Sequence, residues 1–367
     1  MKLQIQSVIY GNQVDALVKA MKALQQAVKV YHRRVGDLQV RLIYGDSTPT
    51  PVLDEKTQKD IREMLKAEIE FEYKVFGFNS GTAKGHNLMA ENTDADIMMI
   101  MNPDVILEPT CLCKLMEPLK LKEVGMVEAR QTPLEHAKEY NTKTGETEWA
   151  STACTVFKTE VYNKINGFDA ETFFLYCDDL DFSWRVRLAG YKIIYMPSAI
   201  VYHAKNLSLS GTWQPTSAEI YYSAEAAMLL AYKWSNPERA EKLCQQYLTH
   251  GGESEKKAAQ VDLMLLPFAV EDSAVIAADG LRIVAQHGHH LPSCPPIPGV
   301  RPGDVVLSGH THIPRGETVD GVHFWNPGST TLPKGGFPAS YGVFEAGAFR
   351  VFGLDGRLLL EHRPSAA

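Results

Sequence analysis

Two neighbouring carboxylates mark the most chemically suggestive stretch of this 367-residue chain. Asp178 and Asp179 sit in the run Phe173-Phe174-Leu175-Tyr176-Cys177-Asp178-Asp179-Leu180-Asp181-Phe182-Ser183-Trp184-Arg185, preceded by Gly167-Phe168-Asp169 and followed by Ala189-Gly190-Tyr191. Adjacent carboxylates favour each other's protonation, which lifts one toward the range useful to a general base. A helix start pulls the other way, because its dipole favours the ionised form. The sequence leaves that balance open.

A second group lies upstream. Asn79-Ser80-Gly81-Thr82-Ala83-Lys84-Gly85-His86-Asn87 precedes a short helical stretch and then Ile97-Met98-Met99-Ile100-Met101-Asn102-Pro103-Asp104. A Gly-rich loop can bring backbone N–H groups to phosphates, and a carboxylate ending a buried strand can hold a divalent cation that bridges them. Asp104 is therefore the prime metal-ligand candidate. Earlier still, Ile43-Tyr44-Gly45-Asp46-Ser47 ends a strand in an acidic turn able to accept hydrogen bonds from a base or ribose.

Histidines form a third group. His287-Gly288-His289 follows the apolar run LRIVAQ, and Gly309-His310-Thr311-His312 follows DVVLS. Two His-bearing turns at strand ends are suited to supplying imidazole ligands to a dinuclear metal site for phosphoester hydrolysis.

The elements that must position these residues divide into two styles. Residues 1–260 hold 22 Lys and 8 Arg, against 1 Lys and 6 Arg in residues 261–367, and 14 of the 27 Gly lie in that shorter second part. Two parts of separate character follow, with HGGESEKKAAQ (His250 to Gln260) reading as the junction. In the first part LQIQSVIY, a helical pattern from Val14 to Val28, LQVRLIYG, a charged helical stretch from Glu55 to Glu70 and IMMIM alternate strand with helix. That order predicts an α/β fold with a mostly parallel sheet covered on both faces. The second part predicts short strands (AVIAA, LRIVAQHG, DVVLSGHTH, GVHFWNPGS, SYGVFEAGAFRVFGL) joined by Gly- and Pro-rich turns. Apolar residues at 45% and charged residues at 22% fit a globular protein, and a net charge of −7 argues against a general nucleic-acid binder. Six cysteines without metal-type pairing read as reduced thiols in a cytoplasmic protein. No apolar run is long enough to span a bilayer, so any membrane contact is expected to be peripheral. The segment Ser217 to Leu248 is expected to be a helical pair that docks on the first domain or touches a lipid-linked acceptor, docking being favoured because it lacks a basic amphipathic face.

The first two groups, in this order and spacing, resemble family 2 glycosyltransferases of the GT-A fold, especially rhamnosyltransferase-like and galactofuranosyltransferase-like members. The likeness runs over residues 1–255 and rests on Asn79, Gly81, Gly85, Asn87, Asn102, Pro103 and Asp104, on Gly167 to Gly190, and on the closing Pro197-Ser198-Ala199-Ile200-Val201-Tyr202-His203. It implies a Rossmann-like mixed sheet flanked by helices over residues 1–250. It also implies transfer of a sugar, with inversion, from a nucleotide-sugar donor to a glycan or lipid-linked acceptor hydroxyl, in polysaccharide or cell-surface glycan synthesis. By the same resemblance Asp179 is the base, Asp178 lies beside the acceptor, and Asp46, Asn79, Gly81, Asn87, Asn102 and Asp104 bind the donor. Asp104 and His203 hold a divalent cation, Mn²⁺ or Mg²⁺.

The third group, with Asn326-Pro327-Gly328-Ser329 and the stretch Pro333 to Gly342, resembles the C-terminal half of small bacterial metallophosphoesterases of the phosphodiesterase type, over residues 261–367. The resemblance implies metal ligation by His287, His310 and His312. The acidic motifs that complete such sites have no counterpart upstream: Val8 and Tyr10 stand where Asp and His would be needed. The expectation is a strand-rich half-sandwich with an incomplete metal site, hydrolytically inactive, that leaves an apolar face bare.

Overall fold

The structure is a computed structural model, and it describes residues 1–204, 214–265, 273–286 and 300–364. Two compact units make up the chain, Met1–Asp262 and Leu263–Ala367.

The strands of the first unit are β1 (Lys2–Ile9), β2 (Gln39–Asp46), β3 (Ile69–Val75), β4 (Ile97–Met101), β5 (Val105–Leu107), β6 (Val124–Pro133), β7 (Glu146–Thr147), β8 (Cys154–Lys158) and β9 (Lys192–His203). They form one mixed sheet in the order β3-β2-β1-β4-β8-β6-β9-β5, with β7 paired to β9. β1, β2, β3 and β4 run parallel, whereas β8 is antiparallel to both β4 and β6. Every residue of β4 is buried, as a strand covered on both faces requires. Its side chains divide between two cores. Ile97, Met99 and Met101 join a cluster with Leu17, Met21 and Leu24 of α1 (Val14–Arg34), while Met98 and Ile100 join Phe157, Phe168 and Phe182 on the other face.

The remaining helices are α2 (Glu55–Leu65), α3 (Gly81–Ala90), α4 (Cys111–Met116), α5 (Thr159–Lys164), α6 (Asp178–Leu188), α7 (Ser217–Lys233), α8 (Pro237–His250) and α9 (Glu253–Leu265). Helix α2 stops five residues short of the expected Glu70. Ile69 and Phe71 are buried while Glu70 between them is exposed, and this period-two pattern belongs to a strand. The stretch read as a junction is largely helical, because α9 begins at Glu253 and buries Ala258 and Ala259.

In the second unit β10 (Ser273–Ala278), β11 (Leu281–Gln286), β12 (Val305–Ser308), β13 (Arg315–Val319) and β14 (Val322–Asn326) form a five-stranded sheet in the order β10-β11-β12-β14-β13. A second sheet holds β15 (Ser340–Glu345), β16 (Ala348–Gly353) and β17 (Leu358–His362). Ile283, Val305 and Trp325 of the larger sheet share a core with Phe349 and Val351 of the smaller. The expected bare face is thus corrected in part: the smaller sheet covers it, Trp325 is 1% exposed, and exposed apolar residues of the larger sheet include Val275 and Ile276 on β10. Among the described residues, no helix is long and apolar enough to cross a membrane.

Candidate active site

In an open α/β sheet a ligand crevice forms beyond the carboxyl ends of the strands, where the strand order reverses. Here the reversal falls at β1, which lies between β2 and β4. Asp46 and Asp104 lie at or just beyond the carboxyl ends of β2 and β4, and His203 ends β9.

The acidic pair opens α6. Tyr176 and Cys177 immediately before it have φ of +70° and +54°, a left-handed conformation that costs a non-glycine residue about 1–3 kcal/mol unless its surroundings enforce it. Helix α7 supplies that enforcement from both ends. Tyr176 donates its hydroxyl to Glu219 Oε1 at 3.3 Å, and Lys233 Nζ reaches Asp169 Oδ2 and Asp181 Oδ1, each at 2.6 Å. Between these points Phe173, Ala226 and Leu230 are buried together, with Tyr176, Cys177, Leu180 and Trp234 around them. The Ser217–Leu248 region is therefore helical, and its first helix is docked on the loop that presents the acidic pair.

Asp178 is buried and accepts the Thr82 hydroxyl at 2.8 Å. Burial raises its pKa against the pull of that bond. Its bond ties α6 to α3. Asp179 is partly exposed. Burial first and the Asp178 charge second push its carboxyl up to about 7, with Glu128 adding to the rise and Lys138 opposing it. Desolvation outweighs the pull of the Leu180 N–H, which donates to Asp179 Oδ1 at 2.8 Å.

At the other end of the site, His203 Nε2 lies 3.3 Å from Asp104 Oδ1, and His203 Nδ1 is 2.9 Å from Gln131 Oε1. If Nδ1 carries the proton and donates it to the Gln131 carbonyl, Nε2 turns a lone pair toward Asp104, the arrangement a metal-binding histidine needs. A hard carboxylate and a neutral imidazole would suit Mn²⁺ or Mg²⁺. Among the described residues no group of three or more His, Cys, Asp or Glu is placed to hold a metal, so protein ligation here amounts to the pair. Gln131 Nε2 also bonds Ser151 Oγ at 3.2 Å, and Lys138 is buried against the Glu128 carboxylate. Sequence reasoning missed Gln131, Ser151, Glu128 and Lys138. Their one signal was Gln131, two residues inside the end of a buried apolar strand.

Several residues expected at the donor also hold the frame of the site. Asp46 is fully buried, and its carboxylate accepts the N–H of Thr48 at 2.8 Å, the N–H of Val52 at 2.7 Å and the hydroxyl of Tyr73. It shapes the turn after β2. The Gly-rich segment is a helix, not a phosphate loop. Asn79 Oδ1 takes the Gly81 N–H, and the Phe174 carbonyl takes the Thr82 N–H at 3.0 Å. Gly81, with φ +64°, is required because a Cβ there would lie 2.1 Å from the Phe174 oxygen. Asn87 accepts the Tyr162 hydroxyl at 2.6 Å and the Phe168 N–H at 2.9 Å, and donates to the Phe168 carbonyl at 2.8 Å. It clamps the Gly167–Asp169 turn. Asn102 is half-buried beside Asp104, its N–H bonded to the Ala153 carbonyl at 2.8 Å.

In the second unit Asn326 donates to the Gly309 carbonyl at 2.7 Å and to Thr311 Oγ1 at 3.1 Å, which fixes the Gly-His-Thr-His turn. His310 and His312 have φ of +62° and +61°, and His312 Nδ1 is 2.8 Å from the Leu332 carbonyl, so its Nε2 is the ring nitrogen left for a metal. His287 lies outside the described residues.

The first unit has the GT-A fold, and the second is similar in sequence to phosphoesterases. Residues 237–348 match the calcineurin-like phosphoesterase superfamily domain, a match that starts in α8. Phosphodiesterase YfcE of Escherichia coli is 34% identical over 103 residues, 28% of this chain and 55% of that protein, so the chain spans about half the length of this curated relative. N-acetylglucosaminyl-diphospho-decaprenol L-rhamnosyltransferase of Mycobacterium tuberculosis is 37% identical over 57 residues, 16% of this chain and 18% of that one. Among solved structures, GalNAc-T7 with UDP, GalNAc and Mn²⁺ superposes with a TM-score of 0.52 at 13% identity, covering 71% of this chain and 54% of that one.

Proposed function

We propose that the first unit is an inverting, divalent-cation-dependent glycosyltransferase of family 2, of the hexosyl- or rhamnosyl-transferring type, acting in glycan synthesis at the cytoplasmic side. The observation that carries this reading is Asp179: a partly exposed carboxylate with its pKa near 7, at the start of a helix on a GT-A sheet. Such a group accepts a proton near neutral pH and is still a strong enough base to matter in the transition state. Asp179 takes the proton of the acceptor hydroxyl as that oxygen attacks the anomeric carbon of a nucleotide-sugar. Asp104 and His203 hold the cation, which when bound offsets the charge growing on the leaving diphosphate. Attack opposite the leaving group inverts the anomeric centre.

The test is a nucleotide-sugar panel with glycan and lipid-linked acceptors, run with Mn²⁺, Mg²⁺ or a chelator. Asp179→Asn is expected to lower turnover by about 10²- to 10⁴-fold while donor binding persists. Asp104→Ala is expected to abolish metal-dependent donor binding. Donor binding without transfer, unaffected by Asp179→Asn, would reject the reading. The match to calcineurin-like phosphoesterases favours a second reading, hydrolysis of a phosphodiester by the second unit. Because the acidic motifs that complete such sites have no counterpart upstream in the sequence, that unit is read as hydrolytically inactive. Phosphodiester turnover lost in His310→Ala would reverse this.

A further inference from the structure

The loop before the acidic pair places two phenylalanines side by side in different surroundings. Phe173 is 1% exposed and packs with Ala226 and Leu230 of α7, a contact that holds the helix down. Phe174 stays half-buried. It lies over the start of α3, where a Cβ on Gly81 would come within 2.8 Å of Phe174 Cδ2. The half-buried ring of Tyr222 on α7 rests against it, 4.8 Å between centroids and tilted by 41°. Tyr221 stands edge-on to Tyr222 at 5.1 Å and donates its hydroxyl to Glu225 Oε1 at 3.0 Å. One residue joins this aromatic shelf to the acidic pair: Thr82 gives its N–H to the Phe174 carbonyl and its hydroxyl to Asp178.

Packing does not account for the shelf. Phe173 already anchors α7, and rings left partly open to water forgo much of the gain from burial. Open aromatic faces with a carboxylate at their edge suit a sugar ring, whose C–H face lies on the rings while its hydroxyls find an acceptor. An acyl chain would have no use for the carboxylate. Resting on the reading of the first unit as a transferase, we infer that Tyr222, backed by Phe174, is the platform for a sugar ring of the acceptor, and that Glu225 accepts hydroxyls of that ring. Because Thr82 fixes the shelf to the start of α6, a sugar on Tyr222 is held to the same frame as Asp179. Helix α7 then has a task besides bracing the turn: it selects what the base acts on.

The experiment mixes the full chain with the octyl glycosides of glucose, galactose, rhamnose and N-acetylglucosamine, below their micellar range, and reads by NMR the saturation passed from protein to ligand protons. At least one glycoside is expected to receive saturation on its sugar-ring protons from the wild type and from Tyr222→Phe. Its dissociation constant should rise by about 5- to 10-fold in Tyr222→Leu, which keeps apolar bulk without a ring face. Saturation confined to the octyl chains, saturation of none of the glycosides, or equal binding to Tyr222→Leu overturns the inference. Hydrogen exchange of Ser217–Lys233 reports whether α7 stays docked in that variant. If it opens, the test moves to Tyr222→Phe in protein deuterated except at its tyrosine rings, where binding should persist while saturation of the sugar drops; an undiminished signal overturns the inference. Offered with the nucleotide-sugar panel, the same glycosides also read transfer, and the loss in Tyr222→Leu is expected in acceptor KM. Sugar binding that depends on Tyr222, without transfer from any nucleotide-sugar, leaves the platform standing and removes the transferase reading.

Discussion

Lys233→Met removes the cation that ties the end of α7 to the loop before the acidic pair. In the wild type Lys233 sits between Asp169 and Asp181, and the Asp169 side chain is 21% exposed. Burial works against the Asp169 carboxylate, but the bonds from Lys233 and Thr172 win and bring its pKa down from 3.8 to about 2. A depression of that size corresponds to about 2 kcal/mol of stability at neutral pH. Because the folded pKa is the lower one, this contribution is complete above the unfolded value near 4 and disappears as pH falls through the folded value; roughly half is gone at pH 3. Asp181 keeps two partners in the variant, Arg185 Nε at 2.8 Å and Trp234 Nε1 at 3.1 Å, so its burial adds little to the loss. Hydrogen exchange of the Ser217–Lys233 amides reads the opening of this one helix, whichever unit unfolds first. Lys233→Met should lower their protection by about 2 kcal/mol at pH 7 and by about half that at pH 3. Unchanged protection, or an equal deficit at both pH values, would refute the argument that Lys233 acts through the Asp169 charge.

Other substitutions test the scaffold around the site. Asn87→Ala strands the Phe168 N–H and carbonyl and the Tyr162 hydroxyl, and should cost about 2–3 kcal/mol in urea unfolding of the first unit, with Asn87→Asp recovering part of it. Gly81→Ala meets the Phe174 carbonyl at a left-handed backbone position, and should lower the expression and thermal midpoint of the full chain more than Gly11→Ala, where a Cβ meets nothing. In the second unit Trp325 Nε1 donates to His362 Nδ1 at 2.9 Å, and burial followed by the nearby His323 lowers the His362 pKa. Exchange protection of Val322–Asn326 should therefore fall as pH drops below about 6.5, and less steeply in His362→Gln.

The sequence identified which residues gather around the site better than what each one does there. The placement of Asp104 and His203 at strand ends and of Asp179 at a helix start, and the helical character of Ser217–Leu248, could be read because each is set by apolar periodicity. Asp46, Gly81 and Asn87 were equally visible, but their roles depend on atoms far along the chain: the Tyr73 hydroxyl, the Phe174 carbonyl and the Phe168 backbone. A polar residue in a motif can face a ligand or hold the frame that faces it, and spacing alone does not separate the two. The Glu128–Lys138 pair was hidden for another reason. An acid inside a buried strand and a lysine in an irregular loop declare nothing until folding brings them together.

The docking of α7 also bears on how the site comes into being during synthesis. Every motif residue has been made once the ribosome passes His203, yet the turn at Tyr176 and Cys177, held from one side by Thr82, lacks Glu219 and Lys233 until α7 arrives. A nascent chain halted between these points would carry the whole motif with that turn braced on one side alone. The acidic pair receives its last support from a segment that contains none of the motif.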